Sequence, residues 1–421
     1  MSKARELANL RGTPTDHNIL LQSTAGDALT AGGGTHNIAA GLNALGAATT
    51  GDDNVAIGRL ALGVCALTGL RNIGIGYGAG QDIVGGTYNI AIGSGSLMSA
   101  TASVQNIMIG TNNAEGAVVT GADNIGIGAY NYCVLSSGAC NVSLGLRASS
   151  KMTTGCLNIA IGQTALGAST TGCLNVAIGN TALGGCITTG NQNVAIGDTA
   201  ADALTSGRRN VAIGSVALSA STTGSYSIAI GETALGAGVI TGDDNIGIGR
   251  LSGDALTSGA TNIAMGLNAF GAATTGVKNI AIGELAMGTG VAIIGGGACG
   301  CDNVAVGRSA LSALTQGTNN IAFGTTSADA VTTGYNNIAI GINAYGAAQA
   351  GNNNVAIGNT ALGGCLVTGS TNVAISVNAM DALTSGYNNI GIGQHALGTS
   401  KTGCYNIALG FTALGVGVVT G

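Results

Sequence analysis

The chain has 421 residues, of which 76 are Gly and one is Pro; 7% are charged, and the formal net charge at pH 7 is −5. Average chains carry roughly 7% Gly and about 25% charged residues, so the composition of this chain is unlike that of ordinary globular domains. Frequent Ile and Val argue against disorder, near-absence of Pro excludes collagen, and weak acidity removes any general case for nucleic-acid binding. Gly and Asn interrupt every apolar run before the ~20 residues of a membrane-spanning helix.

Residues 1–36 precede the regular pattern and form the first predicted region. The stretch "KARELANLR" predicts a short helix and concentrates Lys3, Arg5 and Arg11, while "DHNIL" at 16–20 resembles a degenerate first repeat around Asn18. Repeat arrays need capped ends, so we expect this region to be a cap, an attachment module or both. The opening residues lack the apolar core and cleavage site of a signal peptide, which disfavours Sec-dependent export.

Residues 37–421 repeat a motif of the form Asn, Ile or Val, Ala, Ile, Gly. The Asn is position 0 of each repeat, and of the 21 spacings between successive anchors fifteen are 17, five are 18 and one is 24. Position 0 is Asn except at Ser227, position +4 is Gly except at Ser376, and position −3 is Gly except at Ser103. The 22 anchors are residues 37, 54, 72, 89, 106, 124, 141, 158, 175, 193, 210, 227, 245, 262, 279, 303, 320, 337, 354, 372, 389 and 406.

Two fixed glycines bracket a β-branched run in every repeat, which predicts a short strand between turns. A second segment of the form x-x-A-L and a variable arc, often ending T-T-G, follow the strand. No single repeat can bury its own apolar face, whereas stacked repeats can. The sequence therefore predicts an all-β parallel β-solenoid, or β-roll, of about 22 coils, a rod on the order of 100 Å long at ~4.8 Å per strand.

Alternation along the strand suggests which side chains face inward. We expect Val176 and Ile178, at positions +1 and +3, to fill the coil interior together with Ala182 and Leu183. Position +2 would then form a small, flat outer face, which we interpret as the interface between subunits. The residues predicted for this interface are Ala56, Ala91, Ala160, Ala177, Ala195 and Ala212.

The anchor asparagines have two structural interpretations. Stacked amides can hydrogen-bond from coil to coil as a ladder, or Asn can simply tolerate the turn conformation. Neither interpretation makes the residue catalytic. The predicted ladder includes Asn37, Asn54, Asn72, Asn158, Asn175, Asn193, Asn210, Asn354, Asn372 and Asn389.

A longer period and one interruption overlie the short repeat. "DALTSG" recurs at 202 and 254, 52 residues apart, which indicates duplication of three coils at a time. The 24-residue spacing places an insertion around 288–300, expected to be an apolar bulge that leaves the coil intact or else a functional loop. Gly421 falls where a further coil would begin, so we expect a longer natural chain or a partner that completes this end.

Chemical sites are sparse in the sequence, and we expect no catalytic residue, metal or cofactor. The Cys156–Cys173 pair lies on adjacent predicted coils and permits a disulfide, although Cys also serves as a small apolar filler. The three His residues share no coil, and "GDDN" at 51–54 and 242–245 is expected to be a solvated turn rather than a cation site. Tyr335, Tyr387 and Tyr405 near the turns could stack on a sugar of a receptor, or be ordinary exposed tyrosines.

The motif N-[IV]-A-I-G-x-x-A-L resembles the head repeats of YadA-like trimeric autotransporter adhesins, and similar repeats are found in bacteriophage tail fibres and other virion appendages. The resemblance extends over nearly everything from residue 37 onward, although adhesin heads use shorter units and carry a signal peptide, stalk and membrane anchor. The opening "MSKARELANL" is similar to the start of several phage structural proteins.

This resemblance implies a homotrimeric fibre involved in host attachment, with other virion proteins bound near the N-terminus and a host glycan or protein as receptor. Because no export machinery is evident, we expect a virion protein rather than the alternative, a bacterial surface adhesin or extracellular filament subunit. An enzyme would need an acidic pair or a His cluster, which the sequence does not offer.

Overall fold

The computed structural model describes residues 10–11, 17–29, 33–116, 118–289 and 300–415. Regular secondary structure in these residues is entirely β-strand, with no helix. The chain forms two compact units, residues 1–207 and 208–421. Each is a parallel β-solenoid, and the chain has about 22 turns in all. The predicted fold class is confirmed.

The first unit contains strands β1 to β12. They are Leu10–Arg11, Ile19–Leu21, Ile38–Ala40, Val55–Ile57, Ile73–Ile75, Ile90–Ile92, Ile107–Ile109, Ile125–Ile127, Val142–Leu144, Ile159–Ile161, Val176–Ile178 and Val194–Ile196. The second unit contains β13 to β24. They are Val211–Ile213, Ile228–Ile230, Ile246–Ile248, Ile263–Met265, Ile280–Ile282, Val304–Val306, Ile321–Phe323, Ile338–Ile340, Val355–Ile357, Val373–Ile375, Ile390–Ile392 and Ile407–Leu409.

Within each unit, consecutive coil strands pair in parallel and in strict register. In the first unit Val176 pairs with Val194 and Ala177 with Ala195; in the second, Ile338 pairs with Val355. The stack begins one coil before residue 37, because β2 pairs in parallel with β3. Asn18 is therefore the anchor of a real first rung, as the "DHNIL" stretch suggested.

The N-terminal segment differs from the helix predicted for "KARELANLR". Leu10–Arg11 is a strand, β1, that pairs antiparallel with β2. A β-conformation here satisfies the outer edge of the first coil strand, which would otherwise expose unpaired backbone groups. The rest of the predicted helix, residues 3–9, lies outside the described residues.

Backbone conformation explains the fixed Gly at position +4. Across the described coils, the glycines at this position have φ between 119° and 139°, a region that only Gly adopts readily. Positions +6 and +8 also have positive φ, but near 50–60°, where Thr181 and Leu183 are tolerated. Gly is thus fixed where the turn demands it, and the other left-handed positions accept larger residues.

The coil interior overturns the predicted facing of the strand. The inner strand position is +2, so the predicted interface residues Ala56, Ala91, Ala160, Ala177, Ala195 and Ala212 are all fully buried within their own coils. Val176 and Ile178 instead lie on the outer face, partly exposed. Ala182 and Leu183 of the second segment are buried as predicted.

Limited width explains this inversion. The interior already holds the side chain at position +8, and the strand residue opposite it is Ala or Gly in most coils; the larger Met108 is buried where position +8 is the small Ala114. At Gly74, where even Ala is missing, an added Cβ would lie 2.9 Å from Leu62 Cγ. Space, and not apolarity, decides which strand face turns inward.

In most coils, positions +8 and +11 complement each other in size. A large residue at +8 usually accompanies a small one at +11, as in the buried pairs Leu45 with Ala48 and Tyr345 with Ala348. Three coils are large at both positions; these pairs are Tyr132 with Leu135, Leu311 with Leu314 and Met380 with Leu383. Where +8 is small, +11 is large, as in Ala201 with Leu204. The "DALTSG" coils at 202 and 254, 52 residues apart, both belong to this second class, with Ala201 and Gly253 at +8, whereas the copy at 381 follows a large +8 residue, Met380.

The interruption leaves the sheet continuous within the second unit. β17 and β18 flank the 24-residue spacing and still pair in register, Ile280 with Val304. Most of the predicted insertion, residues 290–299, lies outside the described residues, as does the end of the chain, residues 416–421.

Candidate functional site

The outer strand face presents two parallel columns of large apolar side chains. Position +1 is always Ile or Val, and position +3 is Ile in most coils. In-register pairing stacks each column at the ~4.8 Å spacing of parallel strands. The neighbours of each residue in its column cover part of its surface, yet Ile57 remains 42% exposed in the first unit and Ile340 40% in the second.

This face is apolar and contiguous in each unit, unlike the scattered apolar residues of ordinary surfaces. Contiguous exposed apolar patches larger than a few hundred Å² generally mark interaction sites. We call the surface formed by positions +1 and +3 the strand face. It replaces the Ala column as the candidate interface.

The asparagine ladder is present in both units. Asn72 receives a hydrogen bond on Oδ1 from the backbone N–H of Asn89, at 3.0 Å, and its own Nδ2 donates to Asn54 Oδ1 at 3.1 Å. The same Nδ2 donates to the Gly86 carbonyl at 2.8 Å, which lies at position −3 of the next repeat.

The ladder unites the two interpretations offered by the sequence, because each amide joins successive coils and also satisfies the turn. All ten predicted ladder asparagines are buried; they are Asn37, Asn54, Asn72, Asn158, Asn175, Asn193, Asn210, Asn354, Asn372 and Asn389. Close stacking also explains the Gly at position −3. A Cβ on Gly334 would lie 2.6 Å from the Gly351 carbonyl oxygen and 3.1 Å from Asn337 Nδ2.

Threonine hydroxyls form a second set of contacts between coils, which sequence reasoning missed. In several 17-residue coils, the first Thr of the T-T-G or T-S-G arc donates its hydroxyl to the matching carbonyl of the next coil. Examples are Thr153 to Thr170 at 3.1 Å and Thr257 to Thr274 at 2.9 Å. The recurrence of Thr at one arc position was the available signal.

The three predicted receptor tyrosines are all exposed, but only two of them meet. Tyr387 and Tyr405 pack edge to face with ring centroids 5.3 Å apart. Tyr335 lies three coils away from Tyr387, and its backbone N–H donates to Asn352 Oδ1 at 3.0 Å. The structure therefore does not form one aromatic cluster from the three.

Cysteine and histidine side chains form pairs between neighbouring coils. Cys156 and Cys173 are unbridged thiols with Sγ atoms 2.7 Å apart. The pKa of the Cys156 thiol is raised to about 11, first by its hydrogen bond with Cys173 and then by burial. His17 and His36 stack with ring centroids 5.0 Å apart, a contact that the sequence analysis did not anticipate.

The GDDN turns use their carboxylates locally. Asp243 Oδ1 accepts the backbone N–H of Ser225 at 2.8 Å, and Asp53 pairs with Arg71 at 3.3 Å. Among the described residues, no group of three or more His, Cys, Asp or Glu side chains is arranged to hold a metal ion. The same residues include no helix long and apolar enough to cross a membrane.

The fold and the strand face define a parallel β-solenoid repeat protein, with a form compatible with a fibre-like role. No protein-family model matches the chain, and no curated protein matches it.

Proposed function

We propose that the chain is a non-enzymatic structural fibre protein of a phage particle. In this proposal identical chains associate, three to a fibre, through their strand faces, and the exposed arcs are free to contact a host surface. The observation that carries the association is the in-register column of partly exposed Ile and Val along each unit. The phage setting comes from the sequence resemblance of the repeats and of the opening residues.

Burial of the strand face is the physical drive for association. Removing apolar surface from water contributes roughly 25 cal/mol per Å², and every rung adds the same increment. In-register pairing keeps the outer face regular, so that identical chains can pack with the same contacts at each level. This regularity suits closed symmetric assembly of identical chains.

Analytical ultracentrifugation of the full chain tests the association. The wild type is expected to have three times the mass of one chain. The double variant Ile213→Glu, Ile230→Glu places two charges on the strand face and should shift the protein to monomers, with its circular dichroism unchanged. The control Thr223→Glu, Thr241→Glu adds the same charge at exposed arc positions and should remain trimeric.

Three outcomes would overturn parts of this proposal. A monomeric wild type would remove the association itself, and a stable dimer would remove the threefold stoichiometry. Equal dissociation of both double variants would show that added charge, rather than the strand face, controls assembly.

The phage setting has its own test. Mass spectrometry of purified particles and of host membrane fractions from an infected culture should find the chain in the particles. Recovery with the host cell surface instead would support the adhesin alternative and contradict the virion assignment.

A further inference from the structure

One part of the first unit differs in charge from the rest of the chain. Residues 124–197 contain no Asp or Glu, although the whole chain has 18 acidic residues and a net charge of −5. The two cations in this stretch are Arg147 and Lys151, and both are exposed. This segment is therefore positively charged, although the whole protein is acidic.

A groove of about 530 Å³ lies in this positively charged segment, and Arg147 and Lys151 form part of its lining. Tyr130 and Cys133 line it from the preceding coil, and Ser150 and Thr164 add hydroxyl groups. Volumes of this size are typical of sites for small ligands. These residues occupy the second segment and the arc, away from the strand face.

The repeat geometry explains how the groove forms. Tyr130 and Arg147 both occupy position +6 of adjacent coils, so stacking places the guanidinium 5.9 Å from the centre of the Tyr130 ring. Position +9 of the next two coils is Gly167 and Gly184, which also line the groove. The absence of side chains at these positions leaves the groove open beside the cations.

The two cations have no ion-pair partner among the residues that the structure describes. Burial raises the pKa of the Cys133 thiol, although Lys151 and Arg147 act in the opposite direction. The thiol is therefore neutral at neutral pH and does not compensate the cations. Glu115 is close enough to Cys133 to raise the same pKa, but it does not line the groove.

We propose that this groove binds an acidic saccharide, one that carries carboxylate or sulfate groups. The planar guanidinium of Arg147 offers paired donors that match such an anion, and Lys151 adds a second positive charge. The Ser150 and Thr164 hydroxyls donate to the carbonyls of Gly167 and Gln163, at 3.1 and 2.8 Å. They can therefore accept hydrogen bonds from the hydroxyl groups of a sugar, as the Tyr130 hydroxyl can. Uncharged sugars leave both cations without a counter-charge and bind less well.

The biological sense of this site rests on the attachment role proposed above, but its formation needs only one chain. None of the residues that line the groove occupies position +1 or +3, so assembly through the strand faces does not use them. If several chains associate, each contributes one copy, and multivalent binding strengthens attachment to a surface that displays the saccharide.

Isothermal titration calorimetry of the full chain tests the site with three probes. An oligogalacturonate supplies carboxylates, an oligosaccharide of dextran sulfate supplies sulfates, and a maltooligosaccharide of similar length is the neutral control. At least one acidic probe should bind, and its affinity should fall as salt increases. The acidic probe that binds more tightly identifies the preferred anion, carboxylate or sulfate.

Matched charge variants identify the site. Arg147→Gln with Lys151→Gln should weaken binding by at least about tenfold, the loss expected for charge-assisted hydrogen bonds. The control, Lys278→Gln with Arg308→Gln, removes the same charge from exposed positions of the second unit. It should change the affinity less than about twofold, which is well below the loss expected for one charge-assisted hydrogen bond. Tyr130→Phe keeps the ring and tests the hydroxyl separately.

The inference is overturned if neither acidic probe binds, if the neutral probe binds equally well, or if both double variants lose affinity alike. Because ultracentrifugation of the same variants reports association independently, failure of saccharide binding and failure of the proposed assembly are distinguishable.

Discussion

The two faces of each strand differ in residue size, because the inner face has small residues in most coils and the outer face has large ones. The inner face of β11 contributes Ala177, which is fully buried, while its outer face presents Val176 and Ile178. In a large domain the bigger apolar residues would be inside. In a coil this narrow the inner strand residue is Ala or Gly in most coils, so apolarity alone does not identify the core. The comparison separates residues that fold a coil from residues that are available to other molecules.

A charge on the inner face should have the largest effect. Ala177→Glu places a carboxylate among apolar side chains without a partner, and we expect a loss of about 4 kcal/mol or more in the free energy of unfolding. Ile178→Glu, one residue away on the outer face, should leave the coil folded. Denaturant unfolding followed by circular dichroism compares the two, and equal destabilisation would contradict the assigned facing.

A methyl group at position +4 should have the next largest effect. Gly231 has φ 133°, and a Cβ there would lie 2.7 Å from the carbonyl carbon of Gly249. Gly231→Ala should therefore destabilise the second unit by about 3 kcal/mol, measured by thermal unfolding.

The chain contains a natural counterpart of that substitution. Ser376 occupies position +4 with φ 111°, so Ser376→Gly should stabilise the same unit by about 1 kcal/mol. A decrease in stability on this change would show that φ does not select Gly at this position.

Loss of one ladder amide should have an intermediate effect. Asn372 Nδ2 donates to the Gly386 carbonyl at 2.9 Å, and its Oδ1 accepts the backbone N–H of Asn389 at 3.1 Å. Asn372→Ala leaves these buried groups without partners, at a cost of about 2 kcal/mol. Hydrogen exchange should show faster exchange at Asn389 N–H, and unchanged protection would argue against the ladder. Ser227→Asn, which restores the anchor, is expected to stabilise.

The smallest effect concerns the arc aspartates and depends on pH. Burial raises the pKa of Asp254, and hydrogen bonds from the backbone of Ala255 and of Asp254 itself partly oppose the shift. The folded state therefore binds the proton more tightly than the unfolded state does. This contribution to the free energy of unfolding is absent at neutral pH, grows as pH falls through the folded pKa, and is complete below the unfolded pKa.

Asp254→Asn removes this titration. The melting temperature of the wild type relative to the variant should rise between neutral pH and about pH 4. A difference that does not change with pH would contradict the role of burial at Asp254.

The fold could be predicted in detail because periodicity and Gly placement are strong local signals. The in-register stacking of the anchors and the burial of Leu183 followed from them, and the Asn ladder was one of the two interpretations that they left open. The facing of Ala177 could not be predicted, since alternation defines two faces but does not say which is inside. That choice depends on how much room Leu62 and its equivalents leave, a property of the closed coil. The groove at Arg147 was missed because its residues are adjacent only after coils stack.

Variation in the size of the buried residue at position +8 has a consequence for how the chain finds its register. Nearly identical rungs could skip a neighbour during folding, because every strand would still pair. A skipped rung, however, brings together core residues that are not native neighbours. Loss of the coil of Gly253, for example, would place Phe270 beneath Leu235, whose Cδ2 lies only 2.7 Å from the position of a Cβ at Gly253, so Leu235 would have to move. The differences among the repeats, rather than their likeness, thus favour one order of stacking.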